Sequence, residues 1–156
     1  MVANQSWDMA SNSKNISIEL SRANRVLYVC PPLDRKMSLT KKDDPYVRKI
    51  KDVMAGRSDA IEKVSDNVWI LYPAFLAESA NWIPVGLLHD LVNRYNNQKL
   101  AESIAAACTS LQLSDIVMIN DNVIIRAFYL KEMLRPSLSI YYLRDYLICQ
   151  PYYKNH

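Results

Sequence analysis

Four short apolar runs constrain the fold of this chain more than any other feature of its sequence. They are RVLYVCPP (25–32), NVWILYP (67–73), DIVMINDN (115–122) and LSIYYLRD (138–145). Each is rich in Val, Ile, Leu and Tyr and is bounded by polar or turn-forming residues. Near-continuous apolar runs of this length are typical of strands buried on both faces, as in a parallel sheet covered by helices.

The spacing of these runs predicts how the strands are connected. Parallel strands require crossover connections of helical length, and such crossovers are right-handed. A chain of 156 residues has room for one domain with a substantial core. We therefore predict a single α/β domain over 1–156. Its fold would be a Rossmann-like three-layer αβα arrangement with a parallel sheet of about five strands, the first of them the tail at 2–5.

Start and stop signals place the elements along the chain. The strands are expected at 25–30, 68–72, 116–120 and 139–143, and the helices at 12–23, 45–55, 85–95, 98–111 and 123–134. Asp44, directly before a proline, marks a helix start, and Gly56 marks its end. Pro84 opens the helix at 85–95, and Asn96 with Asn97 interrupts it before the next helix begins.

Composition excludes several classes of function. Gly56 and Gly86 are the only glycines, too few for the loops that bind dinucleotides or nucleoside triphosphates. A net charge of +3 argues against a nucleic-acid binder driven by bulk charge. Cys30, Cys108 and Cys149 lie in apolar contexts, which predicts reduced thiols, no metal site and no cofactor. The start of the chain lacks a signal-peptide pattern, so we predict a cytoplasmic protein.

Six segments together resemble the N-terminal half of a bacterial GT-B glycosyltransferase of the retaining, family-four type. In chain order they are QSWD (5–8), SNSKNI (11–16), RVLYVCPPLDR (25–35), NVWILYPAFLAESANWIP (67–84), INDNVIIRAFYLKEML (119–134) and IYYLRDYL (140–147). Their order and spacing carry the resemblance, which extends from Gln5 to about Tyr153.

The resemblance implies an enzyme in which two Rossmann-like domains face each other across a cleft. The N-terminal domain of such an enzyme binds the acceptor, and the C-terminal domain binds the nucleotide-sugar donor. This chain is similar to the first domain only, so we expect the second to be absent and the chain alone to be inactive. The implied function is sugar transfer to a glycan or lipid-linked acceptor, in cell-envelope or capsular polysaccharide synthesis.

Asp145 and Arg144 follow the last predicted strand, at the edge where ligands bind in such sheets. Many members of the family present a histidine in this region, and here the chain departs from that pattern. Asp145 is our candidate catalytic residue, which would help to deprotonate an acceptor hydroxyl. Its alternative role is to pair with Arg144 or cap a turn. Arg144 would bind a phosphate or carboxylate bidentately, or simply neutralise Asp145.

Three more candidates lie around the end of the fourth predicted strand. Of Asp121 and Asn122, one is expected to cap the following helix and the other to contact a ligand. Arg126 lies one turn into that helix, where it would reach the cleft or remain solvated. All three are assigned to acceptor binding.

The first loop contributes Trp7 and Asp8, because this loop contacts both substrates in GT-B folds. A flat tryptophan ring suits packing on the C–H groups of a sugar. The alternative is that Trp7 anchors the loop to the core.

A helix at 45–55 carries an apolar stripe beside Arg48, Lys49 and Lys51. Such a helix can rest on anionic lipid, which would place the protein at the inner face of the membrane. The alternative is an ordinary helix that covers the core and leaves its charged side in water.

Two other classes of function stay open. A non-catalytic, flavodoxin-like module would use the same strand-end edge to hold a small molecule or a protein. A structural homodimer would pair an uncovered sheet edge or an apolar helix face. A second α/β domain of about 150–200 residues in the same gene would favour the enzyme.

Overall fold

The computed structural model describes residues 1–79, 83, 86–145 and 149, and the protein is an α/β chain over these residues. Its helices are α1 (Asn12–Leu20), α2 (Arg35–Thr40), α3 (Pro45–Met54), α4 (Leu87–Ser110) and α5 (Leu130–Leu134). Its strands are β1 (Val26–Val29), β2 (Leu33–Asp34), β3 (Ile61–Ser65), β4 (Val68–Leu71), β5 (Leu76–Ala77), β6 (Val117–Asp121) and β7 (Leu138–Tyr142). The four apolar runs thus contain β1, β4, β6 and β7.

The predicted parallel sheet of about five strands is wrong. Among the described residues the strands form one ladder of three, β1-β4-β3, and two ladders of two, β2-β5 and β6-β7. Strand β3 runs antiparallel to β4, while the other pairs are parallel. The turn from β3 into β4 spans only Asp66 and Asn67, and so short a connection can join only antiparallel strands. Sequence reasoning missed β3 because it is a mostly exposed strand that carries Glu62 and Lys63.

The predicted first strand is reduced to a short bridging segment. Val2 makes isolated parallel bridges to Val29 of β1 on one side and to Asn120 of β6 on the other. The peptide N–H of Val2 donates to the carbonyl of Ile119 at 2.8 Å, and that of Ala3 donates to Val29 at 3.1 Å. The segment 1–3 therefore lies between β1 and β6.

Helices cover both faces of this arrangement. One core cluster lies under α4 and includes Leu27 and Val29 of β1, Met118 of β6, and Leu100 and Ile104 of α4. The second lies under α3, where the helix packs against Tyr28, Cys30, Ile70 and Tyr72. Packing of α4 and α3 on the two core clusters fixes the positions of the strand ends, where the candidate site lies.

Helix α3 confirms the expected start and stop. Asp44 caps it by accepting hydrogen bonds from Tyr46 and Val47, and Gly56 follows it with a φ of 71°. The apolar stripe of Val47, Ile50 and Val53 is buried against the sheet.

Because the core uses this stripe, it leaves no apolar face of α3 for lipid. The basic side chains of the helix have protein partners: Arg48 pairs with Asp43, and Lys49 with Glu62. Membrane contact stays an untested prediction, and the buried stripe would take no part in it.

Loss of the α3 cap should weaken the fold modestly. Asp44→Ala removes the acceptor for two backbone N–H groups, and we expect it to lower the free energy of unfolding by about 1 kcal/mol. Asp43→Ala is the matched control, because that side chain is 94% exposed and its ion pair with Arg48 contributes little. Urea denaturation of both variants measures the difference, and equal midpoints would contradict a capping role.

Two predicted helix boundaries are wrong. Helix α4 is continuous over 24 residues, so Asn96 and Asn97 do not interrupt it. The helix predicted at 123–134 begins only at Leu130, and residues 124–129 form turns instead. Pro84, the predicted start of the helix at 85–95, lies outside the described residues.

Candidate functional site

A polar cavity of about 240 Å³ opens at the carboxyl ends of the strands. Its polar lining comes from Asn4, Asp34, Glu78, Ser79, Asn93, Asn96, Asn122 and Arg126. Its apolar lining comes from Pro32, Ala77, Val123, Ile124 and Ile125. Amides, carboxylates and one guanidinium therefore converge on one small space, which is the arrangement expected of a site for a polar ligand.

Separate elements bring these groups together. Asn4 follows the segment between β1 and β6, Asp34 ends β2, and Glu78 follows β5. Asn122 follows β6 with a φ of 55°, in the left-handed region that asparagine tolerates better than most residues. The remaining wall is a face of α4.

Asparagines on α4 bond to the loops that surround the cavity. The side chain of Asn96 accepts from the N–H of Glu78 and donates to the carbonyl of Glu78, both at 2.9 Å. The amide of Asn97 donates to the carbonyl of Ile125 at 3.3 Å, and its oxygen accepts from the N–H of Tyr129 at 3.0 Å. Two cavity loops are thus fixed to one rigid helix.

Charged groups in and beside the cavity already make hydrogen bonds to other groups of the protein. Arg35 donates to Glu78 through two guanidinium nitrogens, one of them at 2.9 Å, and these hydrogen bonds lower the pKa of Glu78. Asp34 caps α2 by accepting from the N–H of Met37 at 2.7 Å. Arg126 donates to the side-chain oxygen of Asn4. The site is therefore organised before any ligand binds.

Of the residues predicted from sequence, the structure brings Asn122 and Arg126 into this cavity. Neither Asp121 nor Asn122 caps a helix, since α5 begins eight residues beyond Asn122 at Leu130. Instead Asn122 accepts a hydrogen bond from the hydroxyl of Tyr141 at 2.9 Å. The expectation of a cap at this position is therefore wrong.

Asp121 and Arg144 form a buried ion pair rather than part of the cavity lining. The Nε atom of Arg144 lies 2.6 Å from Oδ1 of Asp121, whose side chain is 1% exposed. The other carboxylate oxygen accepts a hydrogen bond from the hydroxyl of Ser13 on α1. Arg144 thus neutralises Asp121, and not Asp145 as the alternative to ligand binding had it.

The three remaining candidates lie outside the lining of the cavity. Trp7 packs edge-on against Tyr28 with ring centroids 5.0 Å apart, and the amine of Lys14 lies 4.9 Å from its ring. This contact matches the alternative in which Trp7 anchors the loop to the core. Asp8 and Asp145 are exposed, and the catalytic role of Asp145 stays a prediction.

Sequence reasoning missed Glu78, Asn93 and Asn96. The signal for the last two was present, because Asn93, Asn96 and Asn97 recur with i, i+3, i+4 spacing and so share one face of a helix. A polar stripe of asparagines within a helix indicates side chains that bond to other segments.

No cysteine of the described residues lines the polar cavity. Burial raises the pKa of the Cys30 thiol to about 12, so the thiol stays protonated and unreactive at neutral pH. Among residues 1–79, 83, 86–145 and 149, no three His, Cys, Asp or Glu side chains are grouped to hold a metal ion.

The three cysteines should therefore react with a thiol reagent at different rates in the folded protein. We expect exposed Cys149 to react first, partly buried Cys108 next, and Cys30 at least tenfold more slowly than Cys149. Mass spectrometry of tryptic peptides after timed alkylation measures the order. Denaturation in urea should make the three rates similar, and early labelling of Cys30 in the native protein would contradict the burial described here.

None of the helices in the described part of the chain is both long enough and apolar enough to cross a bilayer. Comparison with known proteins finds no matching family model, no curated protein and no solved structure with significant similarity. The glycosyltransferase resemblance therefore stays a prediction from sequence.

Proposed function

We propose that the strand-end cavity binds a hydroxyl-rich acceptor, and that the chain is the acceptor-binding half of a glycosyltransferase. The observation that carries this proposal is the convergence of Asn93, Asn96 and Asn122 with Asp34 and Arg126 in one cavity of about 240 Å³. The donor would be a nucleotide-sugar bound by a separate domain, and the acceptor a glycan or a lipid-linked sugar.

The lining matches the hydrogen-bonding chemistry of a sugar. Each hydroxyl both donates and accepts, and an asparagine amide offers both functions as well. Carboxylates accept from hydroxyls, and the apolar residues Pro32 and Val123 suit the C–H groups of the ring. Pockets for drug-sized ligands measure about 300–1,000 Å³, so a space of about 240 Å³ suits a single sugar unit better than a longer glycan.

The cavity groups are suited to hold an acceptor rather than to remove its proton. Glu78 is kept ionised by Arg35 and is a weak proton acceptor for that reason. Asp34 already accepts a backbone hydrogen bond, which fixes the direction of its carboxylate. Proton removal is assigned to exposed Asp145 as a separate prediction, which concerns the complete enzyme.

Sugar binding by the chain itself is the direct test. Ligand-observed NMR with a panel of monosaccharides should identify a binder, and Arg126→Ala should weaken it by about 10–100-fold, because a charge-assisted hydrogen bond is lost. Arg22→Ala is the matched control, since Arg22 is exposed, pairs with Glu19 and lies outside the lining. If Arg126→Ala and Arg22→Ala bound the sugar with equal affinity, or if no sugar bound at all, the proposed role of the cavity would be wrong.

The enzymatic part needs the natural protein with its donor-binding domain. Nucleotide-sugar turnover by that protein should fall when Asp145 is replaced by Ala, and an unchanged rate would exclude Asp145 from catalysis. Sugar binding without turnover in the natural protein would favour the non-catalytic binding module.

A further inference from the structure

Strand β7 lies at an edge of its ladder. Among the described residues it pairs with β6 alone, from Leu138 to Tyr142. Leu138, Ile140, Tyr141 and Tyr142 are each between 37% and 53% exposed, so apolar side chains on both faces of the strand meet solvent. Residues 137–143 include no charged side chain and no proline, two of the features with which natural edge strands discourage pairing. The edge is therefore suited to pairing with another strand.

The register of the ladder shows which backbone groups line this edge. The carbonyl of Ile119 accepts from the N–H of Val2, and the N–H of Asp121 donates to the carbonyl of Val2, so odd-numbered residues of β6 bond away from β7. Even-numbered residues of β6 consequently bond toward β7, where they face Ser139 and Tyr141. Where two residues face each other in a parallel ladder, only one of them directs its N–H and C=O at the other strand. Ser139 and Tyr141 therefore direct theirs outward.

A second copy of β7 fits this edge in an antiparallel register. A two-fold axis at Ile140, the middle residue of β7, pairs Ser139 with the partner's Tyr141 and Tyr141 with the partner's Ser139. Because both residues direct their N–H and C=O outward, each of these pairs exchanges two hydrogen bonds. The hydroxyl of Tyr141 keeps its hydrogen bond to Asn122, since the pairing uses only the backbone.

The side chains of β7 are complementary to themselves in this register. Ile140 faces the partner's Ile140, and Leu138 faces the partner's Tyr142, in the closely spaced pairs of an antiparallel ladder. Cross-strand pairs of aliphatic and aromatic side chains stabilise sheets. The exposed apolar side chains of two copies would thus cover one another.

Charged residues beyond the ends of β7 favour the same arrangement. Arg135 lies five residues before Ile140, and Asp145 lies five residues after it (140 − 135 = 5 and 145 − 140 = 5). Both charged residues are exposed. Antiparallel pairing about Ile140 brings Arg135 of one copy and the partner's Asp145 to the same end of the paired strands, at both ends of the interface. Parallel pairing would instead bring like charges together, which is unfavourable.

We propose that the outer edge of β7 is a homodimer interface, at which two copies of this chain join their ladders in the order β6-β7-β7-β6. A second copy is the occupant because one sequence supplies both the paired backbone groups and the opposite charges, as an interface with two-fold symmetry requires. An interface of one short strand is small, so we expect a dissociation constant of about 10–100 µM. The interface does not depend on the proposed function, since no β7 residue lines the polar cavity.

Opposite charges introduced at Ile140 test the two-fold axis. Ile140→Lys should weaken the dimer at least about tenfold, because two lysines would face each other across the axis, and Ile140→Asp should do the same. An equimolar mixture of the two variants should restore association, since lysine then faces aspartate. Sedimentation equilibrium measures the mass. At concentrations above the dissociation constant, the unsubstituted chain and the mixture should approach twice the 18.0 kDa of one chain.

Two controls separate loss of the interface from loss of the fold. Val117→Lys changes a side chain that is 50% exposed on β6, outside the new pairing, and should leave dimerisation unchanged. Arg135→Glu leaves β7 intact but brings carboxylates together at both ends of the interface, so it should weaken the dimer about three- to tenfold. Adding Asp145→Arg to that variant exchanges the two charges and should restore the affinity. Circular dichroism checks that each variant is folded.

Hydrogen exchange locates the contact within the strand. The amide of Ser139 should exchange about tenfold or more slowly above the dissociation constant than well below it, whereas that of Ile140, which β6 already bonds, should not change. A chain that stays monomeric up to about 1 mM would overturn the proposal. Slow exchange at Ser139 at every concentration would also overturn it, because one chain would then fill its own edge. A dimer that the mixed Ile140 variants fail to restore would place the interface elsewhere.

Discussion

Replacing Arg144 with methionine is expected to lower the free energy of unfolding by about 3–5 kcal/mol. Its Nε atom lies 2.6 Å from Oδ1 of Asp121, and the Asp121 side chain is only 1% exposed. These two atoms make no well-aligned hydrogen bond with each other, so charge compensation is the main interaction. Arg144→Met leaves a buried carboxylate with the hydroxyl of Ser13 but without its cation. Urea denaturation measures the loss.

Two further variants test whether the loss of stability in Arg144→Met comes from the missing charge or would follow from any substitution in this region. Asp145→Ala changes an exposed neighbour and should alter stability by less than about 0.5 kcal/mol. Combining Arg144→Met with Asp121→Asn removes both charges and should recover most of the loss, because replacing a whole buried pair is far less costly than breaking it. A double variant as unstable as Arg144→Met alone would contradict charge compensation as the cause.

Replacing Asn97 with aspartate is expected to lower the free energy of unfolding by about 3 kcal/mol, although the two side chains have the same shape. Asn97 is fully buried, and its amide nitrogen donates to the carbonyls of Asn93 and Ile125 at 2.9 and 3.3 Å. An aspartate places a carboxylate oxygen against these carbonyls, so donors are lost and a charge is buried. Thermal or urea unfolding measures the change.

Asn15→Asp is the matched control, because it makes the same chemical change at an exposed position of α1 and should be nearly neutral. The Asn97 variant should also speed hydrogen exchange at Tyr129, whose N–H donates to the Asn97 side chain at 3.0 Å. If stability fell without faster exchange at Tyr129, Asn97 would not be the residue that holds the 124–129 turns against α4.

Features that depend on neighbours in the chain were predicted well from sequence. Strands β1, β4, β6 and β7 lie within the four apolar runs, and α3 lies between Asp44 and Gly56 as expected. Each of these depends on local rules: strand propensity, a cap that accepts backbone N–H groups, and a glycine that adopts positive φ.

Two roles that depend on distant partners were predicted wrongly. Asn96 and Asn97 were predicted to interrupt a helix, but the amide of Asn97 bonds to the carbonyl of Ile125 and α4 is continuous. Asp121 was interpreted as a ligand contact or a helix cap. Its carboxylate instead pairs with the guanidinium of Arg144, 23 residues further along the chain (144 − 121 = 23).

The amino-acid sequence by itself determined where the chain becomes strand and where α3 begins and ends, because those choices depend on residues a few positions apart. Only the tertiary structure decided that the segment 1–3 lies between two ladders, that Arg144 pairs with Asp121, and that Asn93 joins Asn122 and Arg126 in one cavity. Those outcomes depend on which buried polar groups find partners across the fold, and hydrophobic periodicity carries no information about that pairing.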